Sequence, residues 1–186
     1  MAKKHDLREL FRNKRSKLCS QELSEASIRI FNHIVRDELI EGNLLMLYMS
    51  SQNLQELPTD VLFSLSGNYA ICVPKIVNKD GRMEAVMWSK NTPAASNKWG
   101  IAEPLSDVYI LPENIDIVVV PLLCFDRAGH RVGFGKGYYD RFLKRCFKDI
   151  KTIGLSYFEA VDKITDVEPT DVALNVIVTP KKVYRF

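Results

Sequence analysis

Apolar residues recur at helical spacing in two stretches near the start of the chain. Between Asp6 and Leu18, apolar positions alternate with basic residues on the other faces, which predicts an amphipathic basic helix. A second helix is predicted from Ser20, which can act as its N-cap, to the sequence EGN near Gly42. The apolar positions of this second helix, mostly three or four residues apart, are Leu23, Ala26, Ile30, Phe31, Ile34 and Val35.

Short apolar runs further along the chain predict strands, namely LLMLYM from Leu44, YAICVP, EAVMW, IDIVVVP, KTIGLSY and VIVT. The near-continuous run IDIVVVP is typical of a strand that is buried on both faces of a parallel sheet. Short helices are predicted from Thr59 or Asp60 and from about Tyr138 to Phe147. NKWGIAEP is predicted as a loop, EAVDKI as a short helix or turn, and the tail PKKVYRF as surface.

Strands that alternate with helices in this way predict an α/β fold. We expect a three-layer α/β/α sandwich with a mostly parallel central sheet, formed as a single domain over residues 1–186. The composition agrees, because 46% hydrophobic and 26% charged residues suffice for one full core, and no repeat or linker divides the chain.

The net charge of +3 is modest, and much of it comes from the first twenty residues. This local excess favours an anionic partner without requiring nucleic acid. The four cysteines are widely spaced and form no CxxC pair, so neither a disulfide framework nor a zinc site is predicted. Because the start of the chain is charged and the apolar runs are shorter than the roughly 20 residues that span a bilayer, we expect a cytoplasmic protein without a membrane partner. A monomer is favoured.

Three alternate glycines, Gly133, Gly135 and Gly137, follow the strongest predicted strand in the stretch CFDRAGHRVGFGKGYYD. Ligands of α/β sheets bind beyond the carboxyl ends of the strands, which is where this stretch lies. Without a Cβ, the glycine backbone can take positive φ and bring its N–H groups close to an anion. The pattern therefore predicts a loop that binds phosphate.

Charged residues beside these glycines extend the prediction. Arg131 and Lys136 supply positive charges for phosphate oxygens, and Asp140, one turn into the predicted helix, is an oxygen ligand suited to magnesium. Together they predict a nucleoside triphosphate site that uses Mg²⁺. The spacing matches neither the Walker loop, in which Ser or Thr follows the lysine, nor the dinucleotide pattern, which needs glycine where Tyr138 stands.

The stretch PLLCFDRAGHRVGFGKGYYDRFL resembles the 5-formyltetrahydrofolate cyclo-ligase family, also called methenyltetrahydrofolate synthetases. Weaker similarities follow in family order: KHDLR near the start, QELPT, VPK, WGIAEP and EPTDVALNVIVT. The resemblance implies an enzyme that uses ATP to convert 5-formyltetrahydrofolate to 5,10-methenyltetrahydrofolate, with release of ADP and phosphate and a phosphorylated formyl intermediate.

The resemblance also implies roles for individual residues. It assigns ATP binding to Lys4, Arg8, Arg131, Gly133, Phe134, Gly135, Lys136, Gly137, Tyr138 and Tyr139, with Arg131 and Lys136 in catalytic roles. It assigns magnesium to Asp140 and Asp171, and the folate slot to Met49, Glu56, Trp99 and Tyr138. Lys4 and Arg8 lie one helical turn apart, so both can face one ligand.

The residues alone leave other interpretations open. Lys4 and Arg8 could form a solvated basic face, Trp99 and Tyr138 could be core aromatics, and Met49 could be the buried end of a strand. Glu56 could be a carboxylate that precedes a helix. At the level of function, the alternatives are another ATP-dependent small-molecule kinase or ligase, and a nucleic-acid-binding module that uses the basic helix.

Overall fold

The computed structural model describes residues 1–51, 53–77, 82–96 and 102–186. Its helices are α1 (Lys4–Arg15), α2 (Ser20–Arg36), α3 (Asp60–Phe63) and α4 (Tyr138–Leu143), with 3₁₀ turns at Ser64–Gly67 and Pro112–Asn114. Its strands are β1 (Leu44–Met46), β2 (Ala70–Ile76), β3 (Met83–Trp88), β4 (Ala94–Ser96), β5 (Ala102–Pro104), β6 (Tyr109–Ile110), β7 (Ile117–Pro121), β8 (Cys124–Phe125), β9 (Arg131–Val132), β10 (Lys151–Leu155), β11 (Val176–Val178) and β12 (Val183–Arg185). None of the helices within these ranges is long and apolar enough to cross a membrane.

Eight of the described strands form one central sheet in the order β12-β11-β10-β7-β1-β2-β3-β6. The run from β11 through β10, β7 and β1 to β2 is parallel throughout. Antiparallel strands flank this parallel run. At one edge β12 pairs with β11, and at the other β3 pairs with β2 and β6 pairs with β3. The predicted α/β fold with a mostly parallel sheet is confirmed, while the extent of a single domain over residues 1–186 stays a prediction.

Alternating side chains bury both faces of this sheet. In β7, Ile117 and Val119 pack into the core beneath α2 and α3, whereas Val118 and Val120 pack into the core beneath α4. Helices therefore cover the two faces, which is the predicted three-layer arrangement. A third apolar cluster joins α1 to the β8–β9 hairpin through Leu7, Phe11, Leu123, Cys124, Val132 and Ile164.

Several element boundaries differ from the prediction. Helix α2 ends at Arg36, six residues before Gly42, because the chain turns at Glu38 with a φ of +48°. Helix α4 ends at Leu143, so the predicted extension to Phe147 is wrong, and Phe147 is 68% exposed. Part of NKWGIAEP also departs from the predicted loop, since Ala102–Pro104 pairs with Ala94–Ser96.

The C-terminal tail lies at the surface as predicted, and it also forms the edge strand β12, which the sequence did not indicate. The Tyr184 ring packs edge-on against the buried Phe125 ring, with centroids 4.9 Å apart. This contact and the pairing with β11 hold the tail in place. The predicted short helix or turn EAVDKI is not helical; it bends at Asp162, between isolated bridges from Val161 to Asp126 and from Ile164 to Ala2.

We expect the Gly154→Ala substitution to lower the free energy of unfolding by about 1–3 kcal/mol, because it overpacks the core. Gly154 lies in β10, where an added Cβ would come within 2.6 Å of side-chain atoms of Leu122 and Leu174. Urea denaturation measures the change. Gly67→Ala is the matched control, since no atom lies within 4 Å of its added Cβ. Equal unfolding free energies for the two variants would contradict the packing described.

Candidate active site

A large cavity lies where the order of the strands reverses direction in the sheet. From β1 the chain passes through α3 to β2 on one side, and from β7 it passes through α4 to β10 on the other. The carboxyl ends of β1 and β7 therefore open a crevice, the place where α/β sheets bind ligands. Tyr48 and Met49, which follow β1, and Pro121, which ends β7, line a cavity of about 820 Å³ there.

The β8–β9 hairpin carries the glycine stretch into this cavity. Asp126, which is only 2% exposed, anchors the hairpin turn. Its Oδ1 accepts hydrogen bonds from the backbone N–H groups of Ala128 and His130, at 3.0 and 3.1 Å. Its Oδ2 accepts one from the Ile164 N–H at 3.1 Å. The aspartate of CFDRAGH therefore supports the loop from behind, while the loop itself faces the cavity.

Two of the three glycines in the loop adopt the conformations that only glycine tolerates readily. Gly135 has a φ of +93° and Gly137 a φ of +64°, directly before α4. Gly133 has no positive φ, and no atom lies within 4 Å of the Cβ that a larger residue would add. All three line the cavity, but positive φ is confined to the last two.

We expect Gly135→Ala to lower the free energy of unfolding by about 1–2 kcal/mol, the cost of placing a side chain at positive φ. The added Cβ would also lie 3.4 Å from the Arg8 Nε. Gly133→Ala is the control, for which we expect a change within about 0.5 kcal/mol. Thermal and urea denaturation of both variants test this difference, and an equally large loss for Gly133→Ala would contradict the described loop.

Helix α1 places basic side chains over the glycine loop. Lys4 and Arg8 both line the cavity, as their spacing of one turn predicted. The Arg8 Nε donates to the Gly133 carbonyl oxygen at 3.0 Å, and the Lys4 Nζ forms an ion pair with Asp171. The Lys4 backbone N–H donates to Asp166 at 2.8 Å, so Asp166 caps this helix.

Each of the two carboxylates predicted to bind magnesium already contacts a cation. Asp140 accepts a hydrogen bond from Arg131 at 2.7 Å and one from the Val172 N–H at 3.1 Å, both at Oδ1. Partial burial raises the pKa of Asp171, but hydrogen bonds from Lys4 and the Glu168 N–H outweigh that effect and lower it. Asp171 is therefore ionised at neutral pH.

The donor set suits a magnesium ion that is held mainly by phosphates. Among the described residues, no group of three or more His, Cys, Asp or Glu side chains could hold a metal by itself. Asp140 and Asp171 both line the cavity, and the bonds they accept leave one oxygen of each without a partner in the described part of the chain. Magnesium commonly takes one or two carboxylates and completes its shell with phosphate and water.

Arg131 and Lys136 differ in their surroundings. The Arg131 side chain is 6% exposed, bonded to Asp140 and to the Val172 carbonyl oxygen, so its guanidinium is fixed in place. Lys136 is exposed, and its ammonium has no partner within the described ranges. Its backbone is held, because Arg141 donates to the Lys136 carbonyl oxygen at 3.0 Å. Lys136 thus presents an exposed charge on a positioned backbone.

The other end of the cavity is apolar and contains one buried carboxylate. Its lining includes Met49, Leu54, Pro74, Ile76, Met83, Tyr138 and Tyr139. Glu56 lies among them and is only 8% exposed, with its Oε2 accepting from the Ser51 N–H at 2.8 Å. Burial raises the pKa of Glu56, although the Ser51 hydrogen bond and the charge of Arg15 oppose the rise. It does not lead a helix, since α3 begins only at Asp60.

The cavity brings together every predicted site residue except Trp99, which lies outside the described residues. It also contains residues that the sequence prediction missed, including Arg12, Tyr48, Arg141, Lys144, Asp166 and Glu168. Arg12 could have been found, because it continues the four-residue spacing of Lys4 and Arg8 along α1. Asp166 could not, because its bond to Lys4 joins residues 162 positions apart.

Comparison with known proteins identifies related chains. The model of the 5-formyltetrahydrofolate cyclo-ligase family matches residues 1–180. The mitochondrial 5-formyltetrahydrofolate cyclo-ligase of Arabidopsis thaliana is 32% identical over 162 residues, covering 73% of this chain and 58% of the plant protein. A probable 5-formyltetrahydrofolate cyclo-ligase of Schizosaccharomyces pombe is 28% identical, covering 98% of each chain. The solved 5,10-methenyltetrahydrofolate synthetase of Aquifex aeolicus superposes with a TM-score of 0.81 at 27% identity, covering 98% of this chain and 92% of that one.

Proposed function

The chain belongs to the 5-formyltetrahydrofolate cyclo-ligase family, and we propose that it converts 5-formyltetrahydrofolate to 5,10-methenyltetrahydrofolate at the expense of ATP. One observation carries the proposal: a single cavity joins a cationic glycine loop to an apolar slot that contains a buried carboxylate. Such a cavity suits two ligands of different chemistry, one a polyphosphate and the other a flat, largely apolar heterocycle.

The chemistry of the substrate explains why a nucleotide is needed. The formyl group on N5 is an amide, so its carbon is a poor electrophile and its oxygen a poor leaving group. In the proposed reaction, the formyl oxygen attacks the γ-phosphorus of ATP and ADP leaves. N10 then attacks the activated formyl carbon and loses its proton to the departing phosphate or to water, and the oxygen leaves with the phosphate as the C–O bond breaks. The site must therefore align two ligands and neutralise the charge that spreads over the transferred phosphoryl group.

The cationic end of the cavity supplies this neutralisation. We assign the phosphates to the N–H groups of the glycine loop and to Lys4, Arg8, Arg131 and Lys136. The fixed Arg131 holds the position of the phosphoryl group, and the exposed Lys136 can follow its charge during transfer. Magnesium would be held by Asp140 and Asp171 together with phosphate oxygens, and when bound it neutralises negative charge between the phosphates.

The apolar end would hold the pterin ring. Met49 and Tyr138 line this end, next to the glycine loop. A pterin carries N–H groups along one edge of its pyrimidine ring, and a buried carboxylate such as Glu56 can accept hydrogen bonds from them. Tyr138 lies between the two halves, since it lines the cavity and is the first residue of α4 after the loop. Trp99 remains a predicted folate contact.

An isotope experiment tests the proposed route. The protein is incubated with Mg-ATP and 5-formyltetrahydrofolate labelled with ¹⁸O at the formyl oxygen, and the released phosphate is analysed by mass spectrometry. The proposal predicts ¹⁸O in the phosphate, one labelled oxygen for each methenyl product formed. Product formation with unlabelled phosphate would contradict the phosphorylated intermediate. ATP hydrolysis without methenyl product would favour a different kinase or ligase substrate.

A further inference from the structure

Arg15 is a buried cation that lies behind the cavity and does not line it. It occupies the last position of α1 and is 2% exposed. Its Nη1 donates to the Gln55 carbonyl oxygen at 3.4 Å, and its Nη2 donates to the Leu122 carbonyl oxygen. Among the described residues, its Nε has no hydrogen-bond partner. Burying a guanidinium without a full set of partners costs free energy, so stability alone does not account for an arginine here.

The segment that Arg15 contacts is the one that carries Glu56. Three successive carbonyl groups of this segment are each held by a different element. The Gln55 carbonyl oxygen accepts from Arg15 of α1. The Glu56 carbonyl oxygen accepts from the hydroxyl of Tyr157, which lies beyond β10, at 3.0 Å. The Leu57 carbonyl oxygen accepts from the hydroxyl of Tyr48, which lies beyond β1, at 3.0 Å. Gln55 itself is held at a φ of +46°, which non-glycine residues rarely adopt. These contacts fix where the Glu56 side chain leaves the backbone.

Arg15 also supplies a positive charge that acts on Glu56. The titratable groups that face Glu56 are Arg15 from α1, Tyr48 beyond β1, Tyr139 from α4 and Tyr157 beyond β10. The three tyrosines are neutral, because burial raises the pKa of each phenol above its usual value. The Arg15 guanidinium lies over the Tyr157 ring, 5.3 Å from its centroid, so the cation and the tyrosine that hold the segment also contact each other.

We propose that Arg15 is the positioning residue for Glu56, fixing the 53–57 segment against the cavity and balancing the carboxylate that receives the pterin. The proposal rests on the proposed function for the identity of that ligand. It does not make Arg15 a catalytic residue, because the side chain touches neither the cavity nor the glycine loop backbone. Within the site its hydrogen bond goes to the segment of Glu56, and its guanidinium also lies 5.9 Å from the centroid of the Phe134 ring in the glycine loop. Lys4 and Arg8 of the same helix serve the nucleotide half.

Kinetics of Arg15→Met, Arg15→Lys and the control Lys17→Met test the proposal. Lys17 lies just beyond α1 and is exposed, so its replacement removes one charge without disturbing the segment. We expect Arg15→Met to raise the KM for 5-formyltetrahydrofolate about tenfold, the loss typical of a hydrogen bond to a charged group, and to leave the KM for ATP within about twofold. Arg15→Lys keeps the positive charge, but an ammonium lacks the planar geometry with which the guanidinium donates to the Gln55 and Leu122 carbonyl oxygens together. Its KM for 5-formyltetrahydrofolate should therefore lie between those of wild type and Arg15→Met.

The pH profile separates positioning from a general loss of structure. Removing the Arg15 charge raises the pKa of Glu56 further, so the carboxylate is protonated at a higher pH. As the pH falls, loss of folate affinity should therefore begin at a higher pH in Arg15→Met than in wild type. Arg15→Lys should restore most of the wild-type profile. A uniform loss of activity with an unshifted profile would overturn the electrostatic part of the proposal.

A readout without turnover keeps this test independent of the proposed function. Hydrogen–deuterium exchange followed by mass spectrometry should show faster exchange in residues 53–57 of Arg15→Met, with unchanged exchange in residues 131–138. If Arg15→Met does not fold, exchange in residues 53–57 and 131–138 is compared between Arg15→Lys and wild type. Unchanged exchange in residues 53–57 of a folded variant would overturn the proposal. Faster exchange in a protein that does not turn over 5-formyltetrahydrofolate would instead overturn the proposed function and leave the role of Arg15 intact.

Discussion

Replacing Lys136 by alanine is expected to lower kcat about a hundred- to a thousandfold, the loss seen when one preorganised charge is removed from a transition state. The surroundings of Lys136 explain why turnover should fall without a loss of folding stability. The Lys136 ammonium has no partner in the described part of the chain, so the substitution breaks no contact. The loop backbone stays in place, because the Lys136 carbonyl oxygen accepts from Arg141 whichever side chain is present.

Steady-state assays and urea denaturation should be run together on Lys136→Ala and on Lys148→Ala. Lys148 is also an exposed lysine and lies beyond the end of α4, so it controls for loss of charge. We expect both variants to unfold within about 0.5 kcal/mol of wild type and only Lys136→Ala to lose turnover. Wild-type kcat in Lys136→Ala would mean that the glycine loop is not the phosphoryl-transfer site.

Replacing Asp140 by asparagine is expected to raise the Mg²⁺ concentration for half-maximal rate about ten- to a hundredfold, a range typical of disrupted metal sites. Asparagine keeps an oxygen that can accept from Arg131 and from the Val172 N–H, so the hydrogen bonds that place the side chain can persist. What disappears is the negative charge. Titration of the rate with Mg²⁺ at fixed ATP measures the change.

Asp162→Asn is the control for this titration, because its carboxylate is 82% exposed and lies 3.7 Å from Arg127 at the surface. An exposed pair of this kind contributes little, so we expect wild-type behaviour. If Asp140→Asn required no more Mg²⁺ than wild type, Asp140 would serve only to hold Arg131. That result would remove Asp140 from the proposed metal ligands without affecting the assignment of the loop.

Six strands of the central sheet (β1, β2, β3, β7, β10 and β11) could be predicted because their burial is a local property of the sequence. Ile117–Pro121 is apolar at nearly every position, and that alone indicates a strand covered on both faces. The edge strand Val183–Arg185 has no such signal. It exists because Val176–Val178 offers an open edge and Phe125 a ring for Tyr184 to pack against, and both partners are distant along the chain. Tertiary contacts of this kind are invisible to a local pattern.

The cationic end of the cavity was predicted more fully than its apolar end for a related reason. The loop residues from Arg131 to Asp140 are contiguous, since a loop that surrounds an anion needs glycine and charge within a few positions of each other, while Lys4, Arg8 and Asp171 join them from distant parts of the chain. The apolar end is assembled from segments that are far apart, such as Met49 beyond β1 and Met83 in β3. Arg15 is the clearest case, because a basic residue in a basic helix predicts a solvated charge, and only the fold reveals that it is buried behind Glu56.

The most direct test of the proposed function is a mixing assay with purified protein, Mg-ATP and 5-formyltetrahydrofolate, following the near-ultraviolet absorbance of the methenyl product. Controls omit ATP, omit the folate, or replace the wild type with Lys136→Ala. We predict an absorbance increase that requires ATP, that is accompanied by an equal amount of ADP, and that is lost in Lys136→Ala. A flat trace from folded protein that binds ATP would contradict the proposed reaction and assign the cavity to another acceptor.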